Sequence, residues 1–209
     1  MRPREPDGAE YDPCPPGVYI ATCYAMYDLG TKFNEFSGRD RRECAIMWEL
    51  DGITITRKDK DGKDEESPRS ITGWYTLSLH EKAKLRQHLE AWRGRAFTGE
   101  ELQGFEMYNL LGKPCQIQVL HKKKQNGGVK AEISAIMPLP KGMPAPELVN
   151  ELKFFSFDKE DAERSMDIED VTEGMKRLIK KSQEWESIDI TGDIGDNVGG
   201  DDEDEDAPF

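Results

Sequence analysis

Long hydrophobic runs are missing from this chain of 209 residues. None approaches the ~18 apolar residues of a membrane-spanning helix, so the sequence predicts no membrane partner. The opening residues, MRPREPDGAEYDPCPPG, hold no hydrophobic signal region, and the expectation is a cytoplasmic protein. Cysteine is scarce. Cys14, Cys23, Cys44 and Cys115 are unevenly spaced with no CxxC pair, which argues against zinc and for reduced, buried thiols. Histidine is scarcer: His80, His88 and His121 are scattered, and none stands beside a serine or cysteine in a catalytic motif. No glycine-rich phosphate loop precedes a helix. In KDKDGKDEESP, position twelve counted from Asp59 is Ser70 rather than a glutamate, which excludes an EF-hand calcium loop. These absences predict no enzyme, no cofactor and no metal.

Basic residues are outnumbered, 29 to 42, for a net charge of −13. The deficit is local. Residues 1–150 hold 22 basic and 22 acidic side chains, whereas 151–209 hold 7 and 20. The acidic total therefore says nothing against a polyanionic ligand for the first part.

The chain commits itself most clearly in RSITGWYTLSLHEKAKLRQHLEAWRGR, Arg69–Arg95. Ile71, Gly73, Tyr75 and Leu77 alternate with Ser70, Thr72, Trp74 and Thr76, the period of a half-buried strand. Ser78 and Glu81 form a capping box that predicts a helix start, Leu85, Leu89 and Trp92 make its buried stripe, and Gly94 marks its end. Before this, Gly17–Gly30 and Glu43–Gly52 read as strands, separated by the polar loop Thr31–Arg42. After it, Thr98 and Glu101 form a second capping box. Asn109–Gly142 reads as a β-hairpin turning through HKKKQNGG.

The resulting order is three strands, a helix and two strands. That is the element order of the OB-fold, a partly open five-stranded barrel that holds oligonucleotides. The predicted fold is mainly β: a flexible segment 1–16, an OB-fold domain 17–142, a linker and short C-terminal helix 143–186, and a disordered acidic tail 187–209. In such a barrel the ligand crosses strands two and three, flanked by the loops joining strands one and two and strands four and five. The first loop here offers Lys32, Phe33, Phe36, Arg39, Arg41 and Arg42. The second offers Lys122, Lys123 and Lys124. Two cationic loops bordering one trough predict a phosphate-binding groove, although the phenylalanines alone fit the core and the lysines alone fit a solvated turn. Trp74 should face that groove and stack on bases, with Tyr27 a second ring of this kind. The alternative is an indole buried on the opposite face.

GVYIATCYAMYDLG, Trp48–Leu50, WYTLSLHEKAKLRQHLEAWRGR, NLLGKPCQIQV and AIMPLPKG resemble the single-stranded DNA-binding proteins of tailed bacteriophages over about residues 17–142. The resemblance implies sequence-tolerant binding of single-stranded DNA in phage replication or recombination, without catalysis, in the host cytoplasm. The tail carries Asp201, Asp202, Glu203, Asp204, Glu205 and Asp206, then Ala207, Pro208 and Phe209. Bacterial single-stranded DNA-binding proteins have a similar ending, which replication and repair proteins grip. The aromatic ring and terminal carboxylate suit a small apolar pocket with a basic rim, and the acids add long-range attraction. A homo-oligomer is compatible with all of this. The competing reading is an acidic interaction protein or DNA mimic that occupies a partner's nucleic-acid site. A hydrolase accessory domain ranks third.

Overall fold

The computed structural model of the chain describes residues 13–35, 37–58, 62–124 and 127–188. Phe36, Asn126 and the tail residues Asp201–Phe209 lie outside the described residues.

β1 (Gly17–Asn34), β2 (Arg39–Lys58), β3 (Asp64–Thr76), β4 (Pro114–Lys123) and β5 (Val129–Met137) hydrogen-bond in the order β3-β2-β1-β4-β5. A three-residue strand, β6 (Lys153–Phe155), pairs with β1. The β1–β4 and β4–β5 pairs are antiparallel. β3 and β5, at the two ends of this order, approach one another, so the sheet curls into a half-barrel. In the β4–β5 pair Gln118 faces Ala135 while Val119 faces Ile133, leaving Ser134 as the extra residue of a bulge. Its hydroxyl donates to the Gln118 carbonyl at 3.1 Å, and a bulge of this kind bends its strand. Among the described residues no helix is long and apolar enough to cross a membrane.

Two compact units divide the chain. One comprises the chain up to Tyr27 with Cys44–Phe154, and the other Asp28–Glu43 with the chain from Phe155 onward.

In the first unit, α1 (Lys84–Arg93) contacts both β5 and β3. Its stripe is the expected one, Leu85, Leu89 and Trp92, with His88 also buried. Trp92 packs on Trp48 with ring centroids 5.9 Å apart and donates its indole N–H to the Pro114 carbonyl at 3.0 Å. Gly94 closes the helix at φ +68°, a conformation L side chains avoid. The helix does not begin at Ser78. It is capped by Ala83 without a side-chain hydrogen bond, and the Ser78 hydroxyl instead accepts from the His80 N–H at 3.2 Å. Leu77 and Leu79 both pack on the core. That two-residue spacing needs extended backbone, which delays the helix. The second box holds: Thr98 and Glu101 cap α2 (Gly99–Gln103) reciprocally. Cys14, Cys23, Cys44 and Cys115 are all buried in the core, and none of them is in a disulfide.

The second unit corrects the loop Thr31–Arg42. Most of it is strand, with only a short turn between β1 and β2. Asn34 makes that turn by accepting the Ser37 N–H at 2.9 Å, and Gly38 takes φ +62°. Beside this hairpin run Phe155, the single turns Lys159–Asp161 and Ile168–Asp170, α3 (Glu173–Ile179) and a helical stretch at 183–188. Val171, Met175 and Ile179 are buried, as the amphipathic pattern of this segment predicts.

Gly30 carries a steric requirement. Its φ is +66°, and a Cβ built on it would stand 2.4 Å from the Ser182 Cβ. Gly30→Ala is therefore expected to cost about 2–4 kcal/mol from left-handed strain and overpacking together. Urea unfolding measures it, and a loss below about 0.5 kcal/mol would contradict the close approach.

Candidate nucleic-acid interface

Strand alternation sorts the hairpin cations of the second unit into two sets. Arg39 and Arg41, two residues apart on one face of β2, are exposed, and among the described residues neither makes an ion pair. Arg42 faces the other way. Its guanidinium pairs with Asp28, through Nε at 3.1 Å and through Nη2, and reaches Asp158 at 2.8 Å. Burial opposes its charge, but the hydrogen bonds it donates to Asp28 and Asp158 outweigh that and raise its pKa. Arg42 is thus committed within the protein and is withdrawn as a phosphate ligand. Lys32 is largely covered and lies 3.8 Å from Glu43. Burial pulls its pKa down, against the upward pull of that carboxylate. Phe33 is 62% exposed, so it does not fold back on the core.

In the first unit, β3 presents one ring outward and one inward. Trp74 is 54% exposed, as its place in the alternation requires. Tyr75 is buried, with its hydroxyl 2.9 Å from His88 Nδ1. Burial pushes the Tyr75 hydroxyl up and lowers the His88 pKa to about 4, so this internal pair is neutral at physiological pH.

The lysine hairpin is more structured than a solvated turn. Lys122 is still on β4, and its ammonium lies 2.9 Å from Glu132 on β5. Lys84 of α1 approaches the same carboxylate at 3.0 Å and Lys130 at 3.7 Å. The hydrogen bond from Lys122, with that from Lys84, holds Glu132 at a pKa of about 2. Three ammonium groups therefore share one carboxylate, and the cluster keeps a surplus of positive charge. It borders an open cleft of about 460 Å³ lined by His88, Leu120 and Glu132 among others. Lys123 and Lys124 are exposed. His121 is 2.8 Å from the Cys14 carbonyl through Nε2, which ties this strand to the start of the described chain.

Tyr27 is corrected outright. It is 1% exposed, and burial raises its hydroxyl pKa to about 12. Residues 21–30 of β1 are all buried, so this part of the strand has no open face on which a ring could meet a base.

Glu49 was not anticipated. It sits between core residues Trp48 and Leu50 yet points to the opposite face, where it is 5% exposed. Its carboxylate accepts the N–H groups of Val149 and Asn150 at 3.0 and 2.8 Å. The linker is thus pinned across β2 at this point, and the outer face of β2 is not open there. The only signal in the sequence was a carboxylate flanked by two core residues in a strand.

Phe33, Arg39 and Arg41 belong to the second unit, and Trp74 with Lys122–Lys124 to the first. Among the described residues no group of three or more His, Cys, Asp or Glu side chains is placed to hold a metal ion. Compared with known proteins, the chain matches no family model, and no curated protein matches it.

Proposed function

We propose that the chain binds single-stranded DNA without sequence preference, as the resemblance to phage single-stranded DNA-binding proteins implies. One observation carries the reading. The indole of Trp74 stands 54% exposed on a strand whose neighbouring side chains enter the core, in the unit that also presents Lys122, Lys123 and Lys124. A large apolar ring left in water, in a unit that also carries surplus exposed cations, suits a ligand made of flat bases and phosphates. The strand order β3-β2-β1-β4-β5, the approach of β3 to β5 and the helix between β3 and β4 support an OB-fold barrel as the frame. In this reading the exposed Phe33, Arg39 and Arg41 serve from the β1–β2 hairpin. The acidic ending, Asp201–Asp206 with Pro208 and Phe209, recruits replication or repair proteins.

Fluorescence titration with oligothymidylate over a series of salt concentrations tests the proposal. Saturable binding that weakens with salt is expected. No binding at low salt would overturn it and favour the acidic interaction protein.

The same titration separates the arginines. Each phosphate contact on a single strand contributes about 0.7 to the slope of log K against log salt. Arg39→Ala and Arg41→Ala are each expected to flatten the slope by about that much. Arg42→Gln should lower the stability and flatten the slope less than either alanine variant, because Arg42 itself meets no phosphate. An Arg42 variant that flattens the slope as strongly as Arg41→Ala contradicts the assignment of Arg42 to Asp28 and Asp158.

A further inference from the structure

A two-stranded hairpin on its own is at best marginally stable in water, and among the described residues of 28–43 Leu29 is the one buried apolar side chain. Polar ties within the second unit add to what it supplies. Both carboxylate oxygens of Glu184 engage Thr31, one accepting its N–H and the other its hydroxyl, each at 2.6 Å. Asp28, 7% exposed, accepts the Gly30 N–H at 2.9 Å and the Phe157 N–H at 3.4 Å. Arg42 bridges Asp28 on the hairpin to Asp158 on the later segment. Ser182, fully buried, fills the space over Gly30. The ties therefore fall at Asp28–Thr31 on one strand and at Arg42 on the other. Arg39 and Arg41 are left outside them, on the alternate face.

From this geometry we infer that the segment 155–188 is a clamp that sets the position of the β1–β2 hairpin, so that the C-terminal part of the chain fixes where Arg39 and Arg41 stand. Glu184 and Asp158 are positioning residues in this scheme. Neither touches the ligand, and each acts through Thr31 or Arg42. The consequence for nucleic acid rests on the single-stranded DNA reading above, whereas the clamp itself does not. Charge-assisted hydrogen bonds to two groups of one residue are strong and directional, and this hairpin draws on them beyond the single buried side chain of Leu29.

The test uses the full chain and two readouts. Hydrogen exchange followed by mass spectrometry reports on residues 28–43, and oligothymidylate titration reports on binding. Glu184→Ala is expected to speed exchange across 28–43 by about tenfold or more, with the β4–β5 hairpin unchanged. Glu184→Gln keeps one carbonyl acceptor and should fall between. If Glu184→Ala does not fold, Glu184→Gln and Thr31→Val supply the comparison. Exchange in 28–43 that changes by less than about twofold in every folded variant overturns the clamp. Faster exchange together with about threefold or greater loss of affinity supports both the clamp and its positioning role. Faster exchange with unaltered affinity overturns the positioning role. Should the unaltered chain fail to bind oligothymidylate, the DNA reading is lost while the exchange measurement still decides the clamp.

Discussion

Trp74→Ala is expected to weaken oligothymidylate binding by about 5- to 150-fold, the equivalent of losing one base–aromatic stack of 1–3 kcal/mol. Folding stability should hardly move, by about 0.5 kcal/mol or less, because more than half of the residue is in water. Trp74→Phe keeps a ring and should retain most of the affinity. The other tryptophans make the measurement clean. Trp48 and Trp92 are buried and Trp185 is half-buried, so bound DNA should quench mainly the Trp74 emission. Affinity within about twofold of the parent for Trp74→Ala would remove the observation on which the proposed function stands.

The largest loss of stability is expected at the other end of the exposure scale. Trp48 is 0% exposed and packs against Trp92, joining β2 to α1. Trp48→Ala should cost about 3–5 kcal/mol, a large share of the roughly 5–15 kcal/mol that holds a domain together. Trp48→Phe should cost much less. The Trp48 indole N–H is buried with no hydrogen-bond partner among the described residues, so phenylalanine removes an unsatisfied donor as well as some packing. The midpoints of urea unfolding measure both. A phenylalanine variant as damaged as the alanine variant would mean that ring shape, rather than burial and the unpaired donor, decides this site.

These two tryptophans also mark what could be read from sequence. On β3 one face enters the core and the other meets water, so the alternation placed Trp74 outside and Tyr75 inside correctly. The stripe of α1, its glycine cap and the Thr98–Glu101 box were legible because each depends on residues within one or two turns. Tyr27 was not. A strand segment buried throughout has no polar face to break the pattern, and nothing local distinguishes a sealed ring from a presented one. Arg42 was misread for a related reason. In a list of loop cations it equals Arg41, and only strand alternation and an acid 116 positions later, Asp158, separate their roles. The polar stretch Thr31–Arg42 looked like a loop because it lacks core residues. Its strands are fastened by hydrogen bonds to a distant segment, and such ties leave no periodic trace.

The burial of every cysteine has a practical chemical corollary. Thiol reactions proceed through the thiolate, and burial pushes the acid dissociation of Cys23 and Cys115 upward, away from neutral pH. Cys23 and Cys115 should therefore ignore maleimides and mild peroxide as long as the chain is folded, and burial keeps the reagents from Cys14 and Cys44. A cysteine introduced at Val149, 71% exposed, would then accept a fluorophore alone, giving a dye on the linker with no need to strip the natural thiols first.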